Sequence, residues 1–335
     1  MFVNHRRFFE THLLCTLIAG LVLGCCLTQL IYKRNIPVEN HHRHYQIERL
    51  SLAEQLKKEV RVLCWIMTNP KNHKEKALHV KRTWGKRCNI LLFMSSGVDN
   101  ELPTVKLDVG EGRENLWRKV KEAFKYVYKH HYNDADWFYK ADDDTYAVVE
   151  NLRYMLYPYN TDAPIYFGFK FKPFVKQGYM SGGAGYVLSR EALRRFVVEG
   201  IPDPKKCLPG TVENEDIEIG RCMENLNVTA GDSRDGHGRG RMYPFAPRDH
   251  LTAKVDTKFW YWKYIYYNTT DGPNCMADTA ISFHYISPKE MYVLDFLIYH
   301  LRPFGIIDEQ LPLPKKLAVG EFMPERNITG LQIAH

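Results

Sequence analysis

An alternation of apolar runs and one strongly amphipathic segment, ending on three consecutive carboxylates, constrains this chain most. Val60-Arg-Val-Leu-Cys-Trp-Ile-Met67, Ile90-Leu-Leu-Phe-Met94, Val105-Lys-Leu-Asp-Val109 and Trp137-Phe-Tyr-Lys-Ala141 read as strands. Glu75 to Trp84 reads as a helix, and so does Asn151 to Leu156. Between the third and fourth runs, Leu116, Val120, Phe124 and Val127 recur at helical spacing and predict an amphipathic helix. This alternation predicts an α/β sheet with parallel strands. Ligands in such sheets bind beyond the carboxyl ends of the strands. Asn69, Glu111 and Asp142 all lie in segments where a run ends.

The triplet Asp142-Asp143-Asp144 is the sharpest of these ends. Adjacent carboxylates repel one another in a packed fold, so a site that gathers them usually holds a cation. Oxygen ligands at i and i+2 suit Mg²⁺ or Mn²⁺, which also grip phosphates. The plain alternative is an acidic surface turn. Asp142 and Asp144 are the candidate metal ligands, and Asp143 is left for a neighbouring hydroxyl or a structural bond.

Four further segments carry candidate chemistry. Ser181-Gly-Gly-Ala-Gly-Tyr186 has no Lys and is not a phosphate loop; it is either a packed turn or a floor under a sugar. Ser189 is a candidate N-cap for the helix after it. In Glu213-Asn-Glu-Asp-Ile-Glu-Ile-Gly220, Glu215 and Asp216 fall in a first helical turn, where the helix dipole favours carboxylates. One of them could instead act as a base toward a hydroxyl. Ile217, Met223 and Leu226 are the expected buried face of that helix. His284 in Ser282-Phe-His-Tyr-Ile286 is either a core residue or a further metal ligand. Phe259-Trp-Tyr-Trp262, with Tyr264, Tyr266 and Tyr267, is either core or a surface on which sugar rings stack.

The rest of the chain bounds the setting. It has 335 residues, 45% of them apolar, enough for a sizeable core. Its net charge is +7 with no long basic block, so nucleic acid is not an expected partner. Thr11 to Tyr32 is a run of 22 residues without Asp, Glu, Lys or Arg, long enough to span a bilayer. Arg6 and Arg7 precede it and Lys33 and Arg34 follow, so charge alone leaves its orientation open. The alternative is a cleaved signal peptide, but the span is long for one and its end, Gln29-Leu-Ile-Tyr32, lacks small residues for cleavage. Residues 1–10 therefore read as a tail, 11–32 as a transmembrane anchor, 33–57 as a polar stem and 58–335 as the folded domain. Eight cysteines fit no zinc spacing. Local pairing predicts Cys64–Cys88 and Cys207–Cys222, with Cys275 outside both. Sequons at Asn227, Asn268 and Asn327 agree with a secretory compartment.

In combination these segments resemble the β1,3-galactosyltransferase and Fringe superfamily, and within it the core 1 β1,3-galactosyltransferases. The resemblance runs from about Val60 to Pro303. Its motifs are Lys81-Arg-Thr-Trp-Gly-Lys-Arg-Cys88, Glu111-Gly-Arg113, Trp137-Phe-Tyr-Lys-Ala-Asp-Asp-Asp-Thr145, Lys176-Gln-Gly-Tyr-Met-Ser-Gly-Gly-Ala-Gly-Tyr186, Gly220-Arg-Cys-Met223, Phe259-Trp-Tyr-Trp262 and Ser282-Phe-His-Tyr285. It implies a GT-A-like nucleotide-sugar transferase fold, with a central mixed sheet flanked by helices. It implies an inverting enzyme that moves galactose from UDP-galactose to the 3-hydroxyl of GalNAc on Ser or Thr. It further implies Mn²⁺, and a single-pass type II protein of the Golgi membrane. Carried over by motif, Asp142, Asp144 and His284 take the metal. Met67, Asn69, Glu111, Gly112, Arg113, Lys119, Asp142 and Tyr285 hold the nucleotide. Asp216 falls at the base position and Trp262 near the acceptor.

The acid-rich stretch around Glu215 leaves it open for Glu215 and Asp216 to exchange roles. The alternatives are a Fringe-like β1,3-N-acetylglucosaminyltransferase and a non-catalytic chaperone relative, and the intact triplet argues against the second. The aromatic segments and Cys275 make a homodimer an expectation.

Overall fold

A computed structural model describes residues 52–252, 256, 258–270, 272–303 and 313–323. The expected tail, anchor, most of the stem and the Asn327 sequon lie outside the described residues. Among the described residues no helix is long and apolar enough to cross a membrane.

A mixed sheet of seven strands forms the centre, in the order β10 (Thr229–Ala230), β6 (Ile165–Gly168), β9 (Tyr186–Ser189), β4 (Trp137–Asp142), β1 (Val62–Met67), β2 (Ile90–Ser95) and β3 (Thr104–Lys106). The first four strands are β1 (Val62–Met67), β2 (Ile90–Ser95), β3 (Thr104–Lys106) and β4 (Trp137–Asp142). All four run parallel, as the alternation predicts. β1 is buried along its whole length between β2 and β4, which is why its sequence is an unbroken apolar run. Its side chains alternate between the faces. Val62, Cys64 and Ile66 enter one core, and Leu63, Trp65 and Met67 enter the other. The third expected strand is cut short: pairing covers Thr104–Lys106, and the chain beyond Leu107 turns toward the Glu111 loop.

Helices cover both faces. α1 (Leu78–Arg82) follows a π turn at His73–Ala77 and leads into a 3₁₀ turn at Trp84–Arg87, so the single expected helix over 75–84 is three short pieces. α2 (Leu116–His131) lays Val120, Phe124 and Val127 on the second core, as their spacing requires, but Trp117 is the buried residue of the first turn and Leu116 is only partly buried. Phe124 meets Trp65 edge-to-face at 5.0 Å. α3 (Val149–Leu156) packs Val149, Leu152 and Leu156 on the first core.

The later strands change direction. β9 (Tyr186–Ser189) pairs antiparallel with both β4 and β6 (Ile165–Gly168), and β10 (Thr229–Ala230) closes the far edge beside β6. A hairpin, β7 (Lys170–Phe171) with β8 (Tyr179–Met180), lies apart from the main sheet. Ser189 ends β9 and its hydroxyl accepts from Ala192 N–H, capping α4 (Arg190–Arg194) as expected. α5 (Glu215–Asn225) follows, then α6 (Pro247–Leu251), α7 (Trp260–Tyr264) and α8 (Pro288–Tyr299). Cys64 bridges to Cys88, tying β1 to the entry of β2, and Cys207 bridges to Cys222 on α5. Cys275 is buried with its thiol 3.9 Å from the His250 carbonyl oxygen.

Candidate active site

Two small structural decisions bring the distant residues of the site together. β4 stays in register with β1 to its end, so Asp142 pairs with Met67 at the carboxyl edge. The chain then turns through Asp143 and Asp144 into β5 (Tyr146–Ala147), which pairs antiparallel with β12 (Ser282–Phe283), itself parallel to β11 (Met242–Tyr243). Phe283 faces Tyr146 across that pair, and Ile286 N–H donates to the Asp144 carbonyl at 2.9 Å. His284 is therefore delivered to the triplet from well over a hundred residues away. Its Nε2 lies 3.1 Å from Asp144 Oδ1 and 3.7 Å from Asp142 Oδ2. Asp142, Asp144 and His284 each offer a ligand atom within one 4.8 Å cluster. Two carboxylates and an imidazole that converge in this way fit a divalent cation.

Asp143 does something else. It points back into the fold, accepting from Thr68 Oγ1 at 2.8 Å and Asn72 Nδ2 at 2.9 Å. Burial pushes its pKa up to about 6, against the pull of those two donors. Asp144 behaves oppositely. Burial acts to raise it, but the His284 imidazole and the Lys76 ammonium, 3.0 Å from Oδ2, hold it down to about 2. Adjacent carboxylates thus divide into one bound inward and two aimed outward.

Thr68 links the triplet to the other strand ends. Its carbonyl accepts from Lys119 Nζ at 2.6 Å, and the same ammonium reaches the Glu111 carboxylate at 2.9 Å. Burial would raise Glu111, but the Ser96 N–H and Lys119 keep it below the usual carboxylate range. Lys119 thus ties Glu111 to Thr68, the residue between Met67 and Asn69 at the end of β1, and Asn69 Oδ1 accepts from Asn72 N–H at 3.1 Å. Gly112 has φ +112°, and a β-carbon there would strike the Glu114 carboxylate at 2.3 Å. Arg113 opens an exposed 3₁₀ turn beside it. Tyr285 is exposed at φ +57°, next to His284, and its ring lies over Phe245 at 6.1 Å.

The glycine run resolves as a packed turn, and its smallness is steric. A β-carbon on Gly183 would sit 2.2 Å from the His284 ring, and one on Gly182 would sit 2.4 Å from Glu215 Oε1. Thr145 Oγ1 donates to the Gly183 carbonyl and Ser282 Oγ to the Ala184 carbonyl, pinning the turn to both sides of the triplet. Gly183→Ala is expected to displace the imidazole and weaken divalent-metal binding by about 10–100-fold, the range typical when support for a ligand is lost. A calorimetric metal titration checks this.

On the other side of the turn, α5 begins where expected, with Glu215 and Asp216 in its first turn. Asp216 Oδ1 accepts from Ile217 N–H at 2.9 Å and Oδ2 from Gly182 N–H at 3.4 Å. Burial raises its pKa against these donors. The buried face of α5 differs from expectation. Met223 and Leu226 enter the core, but Ile219 takes the place assigned to Ile217. Ile217 is half-buried against Phe171, Tyr179 and Ile265, the cluster on which Trp262 also packs. The aromatic segment is accordingly part core and part wall. Tyr261 is buried, whereas Trp262 lines a cavity of about 480 Å³ with Phe245 and Arg234.

Sequence reasoning missed Lys140. It is an ammonium inside an apolar strand, and that incongruity was the available signal, because a charge there needs partners. All three of its donors are used, on Asp142 Oδ1 at 2.6 Å, the Gly182 carbonyl at 3.0 Å and Glu215 Oε1 at 3.1 Å. Burial would neutralise it, but Asp142 and Glu215 outweigh burial and raise its pKa, so it stays charged.

A family model described as Fringe-like matches residues 58–285. The chain belongs to the Fringe-like family. The matched span contains the triplet, the glycine turn, Glu215, Asp216 and His284, so the whole site lies within the Fringe-like region. Glycoprotein-N-acetylgalactosamine 3-beta-galactosyltransferase 1 of Xenopus laevis is 54% identical over 265 residues, covering 78% of this chain and 73% of that relative. Beta-1,3-glucosyltransferase of Mus musculus is 27% identical over 197 residues, 58% of this chain and 39% of the relative. Chondroitin sulfate synthase 3 of Homo sapiens is 30% identical over 186 residues, 49% and 20% respectively. This Fringe-like chain is a glycosyltransferase, as the order of its motifs led us to expect.

Proposed function

We propose that this enzyme transfers galactose from UDP-galactose to the 3-hydroxyl of GalNAc linked to Ser or Thr, with inversion, on a GT-A-like fold. The convergence of Asp142, Asp144 and His284, linked to Asp216 through the Gly182–Gly183 turn, is the observation that carries the reading, because a cation held there would bind a diphosphate on the other side of that turn from a carboxylate able to take a proton. The 54% identity to a relative named for this transfer supports the choice of sugars.

Inversion needs a single displacement. The acceptor 3-oxygen attacks the anomeric carbon, its proton passes to the Asp216 carboxylate, and the bond from that carbon to the phosphate oxygen breaks, releasing UDP. No protein nucleophile is required. Held by Asp142, Asp144 and His284, a divalent cation, Mn²⁺ in our reading, would supply Lewis-acid charge for the diphosphate. Lys119 fixes the Glu111 loop against the end of β1, shaping the rim on which Met67, Asn69, Gly112, Arg113 and Tyr285 would hold the nucleotide. Trp262 offers an aromatic face to the acceptor sugar.

The same reading places the protein in the Golgi membrane as a single-pass type II protein. The uncharged span at 11–32, the sequons and the two disulfides support that setting.

Incubation of the purified enzyme with a GalNAc-peptide and, separately, UDP-galactose, UDP-N-acetylglucosamine or UDP-glucose tests the activity. Galactose transfer is expected to dominate. Preference for either other donor would replace this reading by a Fringe-like or glucosyl specificity.

A further inference from the structure

We propose that the Lys140–Glu215 ion pair is the positioning element that sets the candidate base Asp216 in register with the donor-side carboxylate Asp142. The inference rests on the reading of Asp216 as the base. Three elements meet at this pair: β4, α5 and the Gly182 turn. Lys140 stands on β4 two residues before Asp142, so both side chains leave the same face of the strand. Glu215 is the first residue of α5 and immediately precedes Asp216. Gly182 belongs to the turn between them: its carbonyl accepts from Lys140 and its N–H donates to Asp216.

Lys140 is 1% exposed and Glu215 6%, so neither charge is screened by water. The second Glu215 oxygen is also engaged, accepting from Tyr186 OH at 3.2 Å. Tyr186 is itself fully buried on β9, so Glu215 is gripped from two strands of the sheet. Gly182 is glycine because a β-carbon would meet Glu215 Oε1. A carboxylate held in this way cannot swing to meet an acceptor hydroxyl, which separates its role from that of its neighbour. Among the described residues the Asp216 carboxylate accepts hydrogen bonds only from backbone N–H groups, one on each oxygen, so each oxygen keeps accepting capacity for chemistry. Glu215 thus serves as the anchor and Asp216 as the reactive group.

Glu215→Gln keeps the shape and removes the charge. Wild type, Glu215→Gln, Asp216→Asn, Lys140→Met and the double variant Lys140→Met/Glu215→Leu are compared using UDP-galactose, Mn²⁺ and a GalNAc-peptide. Readouts are kcat and KM for each substrate, hydrolysis of UDP-galactose by water without acceptor, UDP affinity by calorimetry, and Tm. Glu215→Gln is expected to lower kcat for transfer about tenfold or more while KM for UDP-galactose stays within about twofold. The transfer-to-hydrolysis ratio should fall with it, since water needs no register with Asp216. The double variant removes both buried charges. It is expected to fold with Tm near wild type even where Lys140→Met does not, and still to lose transfer.

An unchanged transfer-to-hydrolysis ratio in Glu215→Gln, or transfer restored in the double variant, would overturn the proposal. Normal transfer by Asp216→Asn would sink the base reading instead, a result visible in the same series.

Discussion

Asp216→Asn is expected to lower transfer turnover by about 10²–10⁴-fold, the usual contribution of a positioned general base. The affinity for UDP should stay within about twofold, because Asp216 touches the Gly182 turn and its own helix rather than the nucleotide rim. This split between kcat and donor binding separates a base from a structural helix-terminus carboxylate, whose loss would lower stability and leave chemistry alone. The pH profile adds a second check. The base must be ionised to accept a proton, and burial holds the Asp216 pKa above the ordinary aspartate value. Activity is therefore lost as pH falls through that raised pKa, and the acid limb of kcat/KM should lie above the normal aspartate range. An acid limb at the ordinary value, or near-normal turnover by the Asn variant, would leave Glu215 as the group to test next. Its engagement with both Lys140 and Tyr186 argues against that role.

Much of the donor side was legible in the sequence because its signals are local. Continuous apolar runs specify strands buried on both faces, and β1 to β4 pair parallel as those runs predict. The Asp142–Asp144 spacing places two carboxylates outward with one between them, and the structure gives that middle residue an inward role through Thr68 and Asn72. Less was legible where distant segments meet. Nothing near His284 distinguishes it from a core histidine, and only the β5–β12 pairing carries it to Asp144. Antiparallel β9 was equally hidden. Its four residues are buried on both faces and resemble the parallel strands in composition, so direction is set by the turn before it. Ile217 was misplaced for a related reason. Helical spacing marks an apolar stripe, but a second, aromatic cluster beside α5 takes Ile217 while Ile219 fills the main core.

Removing the divalent cation should abolish most transfer. Charge stabilisation worth several kcal/mol corresponds to about 10²–10³-fold or more in rate. Chelation and His284→Ala are both expected to show losses of this order, with metal affinity falling in calorimetry. Asp142→Asn should differ in kind. Asp142 Oδ1 is one of the three acceptors of the buried Lys140 ammonium, so neutralising it weakens both the metal cluster and the balance of a charge enclosed in β4. Its signature is loss of metal affinity together with a Tm lower by about a few degrees. Asp144→Asn separates the two effects, because its cation partner Lys76 is partly open to water and tolerates the loss. The order expected for Tm is thus Asp142→Asn below Asp144→Asn and His284→Ala, while all three lose metal-dependent transfer. Equal Tm across the series would mean that Lys140 draws its compensation from Glu215 alone. Transfer insensitive to chelator would remove the metal from the mechanism and leave the diphosphate charge to side-chain cations such as Lys76, which already meets Asp144.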